Sequence, residues 1–376
     1  MHANLTIDSI LRSPAAANKP AQQPDEASES VSYRECRIGI VGAGSEACEL
    51  LDYLRRHTSY DYFDFLAIDK DKAALERSGA DTQVLLRYEI HLDLDEENLT
   101  PLDLIAAQAD RDQLRAILKP YDLLFVVAVL GRDSATGIAT DIARVARDTD
   151  AFTIGVVIPP FSFEAIDRIN CAQCGMTELE ASLNALLVLD PNKFLQQPGC
   201  KLRDARAAVN DAVLHVVDGV IEPISKSGLI NLQIWDIFNF FWRAGRAYVG
   251  FARASGDNFI GDAIEQALRY PLLDQIPLSK ARKSMVHVRM NRNFPFAKLE
   301  QINRKIEQYA DEDADVKFSL VWDDNLAEDQ IVVTIFTTDG GAAPQDEQSN
   351  DGLVRQFDLS SLLREVRAKS SGQRSS

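Results

Sequence analysis

Basic residues are scarce. The chain of 376 residues carries 40 Lys and Arg in total against 57 acidic side chains, a formal net charge of −17. That balance argues against general nucleic-acid binding, because a phosphate backbone demands clustered Lys and Arg. A nucleotide stays open, since it needs only a local nest of donors. Cysteine is sparse too: five, at positions 36, 48, 171, 174 and 200, too scattered for a disulfide framework. Cys171 and Cys174 form a C-x-x-C, but no second pair or nearby histidine completes a zinc set, so reduced thiols and no metal site are expected. No run approaches membrane-spanning length, and no charged region followed by an apolar core stands at the N-terminus. A cytoplasmic protein without a membrane span is the expectation.

What is present alternates. Residues 1–34, rich in Ala, Pro, Gln, Ser and Glu, read as a disordered tail. From 35 to 200 the short apolar runs "RIGIV", "FDFLAI", "LLFVVAV", "FTIGVVI" and "ALLVL" are separated by helix-compatible segments. This is the pattern of an α/β fold with a mostly parallel sheet covered on both faces. In 201–228, Leu202, Ala205, Val209, Val213, Val216 and Val220 recur at three-to-four spacing. They predict a long helix ended by Pro223 and Gly228. In 229–339 helices are expected over 236–254, 258–270 and 296–310, with strands at "VKFSLVW" and "IVVTIF", a second α+β domain. Phe238, Phe240, Phe241, Trp242, Tyr248 and His215 are expected to pack in cores. Residues 340–376 read as a short linker and a basic tail, with "FDLSSLLREVR" able to form an amphipathic partner-binding turn.

Two loops carry phosphate-type chemistry. In "GIVGAGSEACELL", Gly42, Ala43, Gly44, Ser45, Glu46 and Ala47 fit G-x-G-x-x-A, and Asp69 closes the next strand where a ribose-binding acid would sit. Read alone, this is a Rossmann dinucleotide site. A second loop after a later strand, "VVAVLGRDSATG", ends its strand at Gly131 and opens a helix near Thr136 and Gly137. Rossmann oxidoreductases need one pyrophosphate turn, and no nicotinamide-site motif follows. Arg132 and Asp133 occupy the middle, where phosphate-wrapping loops favour glycine. A carboxylate about 4 Å from a phosphate charge costs about 4 kcal/mol at an effective dielectric of about 20, roughly a thousandfold in affinity. An inward Arg132 offsets it.

With both loops in view, the chain resembles the tubulin/FtsZ family of filament-forming GTPases, from about Arg37 to Thr338. "GRDSATG" stands where the family signature G-G-G-T-G-T-G belongs, keeping Gly131, Thr136 and Gly137, with Ser134 for threonine and Ala135 between. "GVVIPPFSFEAIDR" matches the next strand and loop, and the helix of "DARAAVNDAVLHVVDGVIEPISKSGLINLQIWDI" matches the family's central helix. The resemblance implies GTP or GDP, with Mg a further possibility, held by the two loops. It implies sugar contacts from Glu164 and Arg168 and guanine recognition by Asn210 and Asp211. Subunits would stack head to tail, with themselves or on another FtsZ-family protein. Asp236 on the loop after the central helix would act as an acid on the next subunit's nucleotide, with Gln233 beside it.

The departures bear on turnover. Where FtsZ reads like N-L-D-F-A-D-V, this chain reads Asn231-Leu232-Gln233-Ile234-Trp235-Asp236-Ile237. Glutamine orients water but neither holds a cation nor accepts a proton usefully, so slow hydrolysis is expected. "YEIHLDLDEENLTPLD" is acidic and lacks the glycines of the usual loop over the terminal phosphate. Glu46 replaces an asparagine near the base, Arg206 an aromatic, and "LDPN" the usual "IPND" around Asn192. A nucleotide-free, non-catalytic paralogue acting as structural or regulatory partner of filaments is the alternative reading.

Overall fold

The computed structural model describes residues 36–58, 63–87, 101–273, 278–311 and 313–338, apart from the side chains of 101–105, 133, 296 and 297. The N-terminal tail, the acidic loop 88–100 and the linker and basic tail from 339 onward lie outside the described residues.

The apolar runs become strands of one sheet. β1 (Ile38–Ala43), β2 (Phe63–Asp69), β3 (Thr82–Leu85), β4 (Leu123–Val129), β5 (Phe152–Ile158) and β6 (Ala185–Val188) are all parallel to their neighbours. Their order is β3-β2-β1-β4-β5-β6, so the winding reverses between β1 and β4. The residues of β1 and β5 are buried throughout. Continuous β-branched and aromatic runs of this kind suit a sheet covered on both faces. Alternate residues go to opposite layers. Ile40 and Phe125 join α1 (Ser45–His57) and α7 (Leu202–Ser225) in one core, whereas Val41 and Leu124 join α4 (Asp133–Arg147) and α5 (Ile166–Ser182) in another. Between these lie α2 (Lys72–Arg77), α3 (Pro101–Leu118) and α6 (Pro191–Leu195).

The sheet does not stop at β6. β8 (Gly245–Ser255) pairs parallel to it, Ala185 opposite Gly245. β11 (Gln330–Thr338) runs antiparallel between β8 and β9 (Lys283–Met290), β10 (Asp315–Trp322) is parallel to β9, and β7 (Gly228–Ile230) closes the edge. α8 (Ile234–Phe241), α9 (Phe259–Leu268) and α10 (Phe296–Glu307) complete this mixed half.

Three sequence expectations change. The helix expected over 236–254 ends at Phe241: Arg243 and Gly245 take positive φ, and β8 follows. Pairing on both edges, with Ala247 and Val249 buried, outweighs the local helical reading. Pro223 lies inside α7 rather than ending it, in a C-terminal stretch wholly buried from Val216 to Ser225. Its missing N–H removes one helix bond, and its carbonyl is taken by Leu232 N and Asn231 Nδ2. Leu202, read as part of the apolar stripe, is exposed. The other stripe residues are buried, each Val adding roughly 1.5–3 kcal/mol of apolar burial.

Candidate functional site

β1 and β4 lie side by side with Ala43 opposite Ala128, so the loops leaving their carboxyl ends meet at the reversal point of the sheet. Open α/β sheets place ligands in this crevice. Gly44 has φ +83, and a Cβ there would lie 2.6 Å from Ala135 Cβ. Gly131 has φ +99, and a Cβ would lie 2.9 Å from the Arg168 carbonyl oxygen. Both positions therefore exclude a side chain by conformation and by contact. Gly42 is excluded by contact alone, with Leu51 Cδ1 2.8 Å from its would-be Cβ.

Ser134, Ala135, Thr136 and Gly137 form the first turn of α4, whose leading N–H groups have no acceptor within the helix. Thr136 is fully buried and turned inward: its Oγ1 accepts from Gly131 N at 3.0 Å and from Cys171 Sγ at 3.5 Å. It fastens the loop. The carbonyl of Arg132 takes Thr136 N and closes the turn at 2.9 Å.

Beside these loops opens a cleft of about 770 Å³. One face of α1 supplies Glu46, Glu49, Asp52, Tyr53 and Arg56; the loops supply Arg132, Phe161 and Glu164; the first turn of α5 supplies Arg168, and α7 Arg206 and Asn210. Four carboxylates and four guanidinium groups line it, so the wall is neutral overall in a strongly acidic chain. Arg132 pairs with Glu46 at 3.1 Å, side chains 61% and 44% exposed. An ion pair this exposed is worth about 0–1 kcal/mol, whereas a phosphate can take the guanidinium bidentately. The bridge is no barrier to an anion. Glu164 accepts from Phe161 N at 2.8 Å and pairs with Arg168, whose Nε reaches the Gly131 carbonyl at 3.3 Å. This pair ties the two loops together. The guanidinium of Arg206 stands 5.9 Å from the Phe161 ring centroid, a stacking surface on the cleft wall.

The structure thus gathers Glu46, Arg132, Glu164, Arg168 and Asn210 on one cleft, with Gly44 and Gly131 shaping its rim. Asp211 is turned to Tyr53, accepting its hydroxyl; burial first and then this bond push the phenol up to about 12. Asp69 is 4% exposed, with Oδ2 on Ser45 Oγ at 2.5 Å and Oδ1 on the N–H groups of Lys70 and Asp71. It anchors a turn. Asn192 spends its amide on Ser162 N, Asp190 and the Pro160 carbonyl, and lines a separate cavity of about 300 Å³. Tyr53, Arg56 and Phe161 escaped the sequence reading. Helical spacing from Glu46 through Glu49 and Tyr53 to Arg56 was the signal for two of them.

Asp236 and Gln233 are not at this cleft. Gln233 is the exposed N-cap of α8; Asp236 accepts from Gln233 N at 2.9 Å and faces Lys317 Nζ at 3.7 Å. They follow the far end of α7. Asn210 and Ser225 are separated by roughly 22 Å of helix axis at the standard rise. The side chain of Asp133 lies outside the described residues. Among the described residues no group of three or more His, Cys, Asp or Glu gathers to hold a metal, and no helix is long and apolar enough to cross a membrane.

The geometry agrees with what the chain is similar to. Residues 37–198 match the Tubulin/FtsZ family, GTPase domain, and residues 245–340 the FtsZ family, C-terminal domain. Cell division protein FtsZ of Coxiella burnetii (strain RSA 493 / Nine Mile phase I) is 30% identical over 347 residues, 89% of each chain. That of Wigglesworthia glossinidia brevipalpis is 29% identical over 303 residues, 80% of this chain and 78% of the relative. An FtsZ dimer of M. jannaschii, solved empty, superposes with a TM-score of 0.70 at 24% identity, covering 81% of this chain and 88% of that one. A GTPγS-bound protofilament of CetZ2 from Haloferax volcanii gives 0.61 at 16% identity, covering 89% and 99%. These two structural likenesses speak to the fold. The chain belongs to the tubulin/FtsZ family, as an FtsZ-like member.

Proposed function

We propose that this chain binds GTP or GDP in the cleft between α1, α7 and the two glycine loops. It assembles head to tail, with its own copies or on a filament of another FtsZ-family protein, and hydrolyses the nucleotide slowly. The observation that carries this reading is the separation of the cleft from Asp236 along α7. Among the described residues neither end holds a complete hydrolytic set, so this reading puts the chemistry between two subunits. Such a contact is heterologous and extends into filaments. Exposed Phe163, Ile166 and Leu202 on the cleft side, and Leu229 ahead of the Gln233–Asp236 turn that opens α8, supply apolar surface for it.

The residues present fit a guanine nucleotide. The cleft volume is in the range of small-molecule sites, and the rim glycines let backbone N–H groups approach phosphate. Arg132 would hold the phosphates, Glu164 and Arg168 the sugar, and Arg206 with Asn210 the base end. A Mg²⁺ ion would be held chiefly by phosphates and water. Slow turnover follows from Gln233 and from the Lys317 ammonium beside Asp236, which competes for the carboxylate.

One observation favours a nucleotide-free partner instead: the half-buried Arg168 already carries a protein carboxylate, Glu164, and is tied to the Gly131 carbonyl. Calorimetry on nucleotide-stripped protein decides. Micromolar binding of GTP and GDP with none of ATP is expected, followed by GTP-dependent sedimentation. No binding by the native chain, with recovery in Asp133→Gly, would make it a disabled structural member.

A further inference from the structure

A buried polar layer between α7 and strands β9 and β10 is used by neither the cleft nor Asp236. Glu222, 1% exposed, lies 2.9 Å from His287 Nε2, 2.6 Å from Lys226 Nζ and 3.3 Å from Arg289 NH1. Burial drives the His287 imidazole below its ordinary range, so the ring is neutral. Its single N–H then goes to Glu222, and Nδ1 accepts from Ser319 Oγ at 3.3 Å. With three donors, Glu222 keeps its charge: burial opposes ionisation, but His287, Arg289 and Lys226 together outweigh it.

Asp218, one turn earlier on α7, is the opposite case. Its Oδ2 is 3.8 Å from Arg289, beyond hydrogen-bond distance, and its Oδ1 is buried without a partner. Facing it are Glu222 from its own helix, Lys226 from the C-cap that follows it, Arg289 from β9, and Asp323 from the segment after β10. His215, one turn back, is half-buried and neutral, stacked 3.8 Å over Phe251 with its buried Nδ1 unpartnered. An ionised Asp218 would leave a dry oxygen beside a second carboxylate, with one shared arginine to compensate. A protonated Asp218 removes the repulsion and leaves Arg289 to Glu222.

We propose that Asp218 is a protonation switch on the joint between the central helix and the second half of the sheet. Protonated, it lets Arg289 lock Glu222, and so α7, to β9. Deprotonated, it competes for Arg289 and draws water to Oδ1, loosening the joint. Arg206 and Asn210 stand upstream on the same helix and the Gln233–Asp236 turn that opens α8 follows it, so the joint governs how rigidly the cleft is tied to that turn. The inference holds whether or not the cleft takes nucleotide.

Burial first, then Glu222, push the Asp218 carboxyl from 3.8 up to about 7. Between those values the folded state holds a proton that an opened state has released, so stability falls as pH rises. Hydrogen exchange of the full chain, followed by mass spectrometry at pH 6, 7 and 8 and corrected for intrinsic rates, reads it directly. Protection of α7 residues 213–225 and of β9 falls about tenfold from pH 6 to pH 8 in the native chain. In Asp218→Asn, uncharged and of the same shape, that fall disappears. In Glu222→Gln the transition moves to lower pH, because the like charge is gone. A flat native profile, an equal slope in Asp218→Asn, or an unmoved transition in Glu222→Gln overturns the proposal. The last of these suffices should Asp218→Asn not fold.

Discussion

Gly44 shows how little room the crevice leaves. Its φ of +83 is strained for any residue with a Cβ, and that atom would sit 2.6 Å from Ala135 Cβ at the start of α4. Gly44→Ala must rotate the backbone or push α4 away from β1, at a cost of about 1–3 kcal/mol. Chemical denaturation should show that loss; an unchanged midpoint would mean the loops yield more easily than their packing implies. The cysteines separate just as clearly. Cys48 on α1 is buried, and burial foremost, with Asp69 and Asp52 next, pushes its thiol up to about 12. A raised thiol has almost no thiolate at pH 8. Cys174 is exposed on α5. Iodoacetamide at pH 8 should therefore label Cys174 first and Cys48 last in the native protein, and mass spectrometry of the peptides reads the order. Equal rates at both sites would contradict the burial of α1.

At the scale of elements, α7 is held by fit. Gly219 sits mid-helix, where alanine would ordinarily add about 1 kcal/mol of helix stability. Here a Cβ would meet Phe336 Cε2 at 2.8 Å and Thr334 Cγ2 at 3.0 Å, both on β11. Overpacking of a buried contact costs about 1–3 kcal/mol, so the clash outweighs the propensity gain. Gly219→Ala should be destabilising, and Phe336→Leu should relieve it, giving a favourable coupling in a double-mutant cycle. Additive losses would place the clash elsewhere. The same helix marks what was legible in the sequence. Its valine stripe and the two glycine loops were, because period and backbone freedom are local properties. The parallel half of the sheet followed from its runs. β8 was not legible, since its identity depends on β6 and β11, partners 60 to 91 positions away in the chain. Nor were the inward turn of Thr136 and the engagement of Asp211 by Tyr53, which arise from neighbours on other elements.

The whole molecule carries its sharpest prediction in its polarity. If the cleft of one subunit and Asp236 of the next make one site, defects at the two ends should complement in a mixture. Arg132→Glu places a like charge beside Glu46 at an exposed position and so weakens phosphate binding without disturbing the core. Asp236→Asn keeps the acceptor for Gln233 N, preserving the α8 cap while removing the acid. Each variant alone should hydrolyse GTP far more slowly than the native chain. In an equal mixture that assembles at random, about one contact in four joins a sound cleft to a sound loop, restoring about a quarter of the native rate. Two defects acting within one subunit cannot be rescued by mixing, so a mixture no faster than the average of its components would refute the shared site. A restored rate with no sedimenting assembly would confine the contact to a dimer.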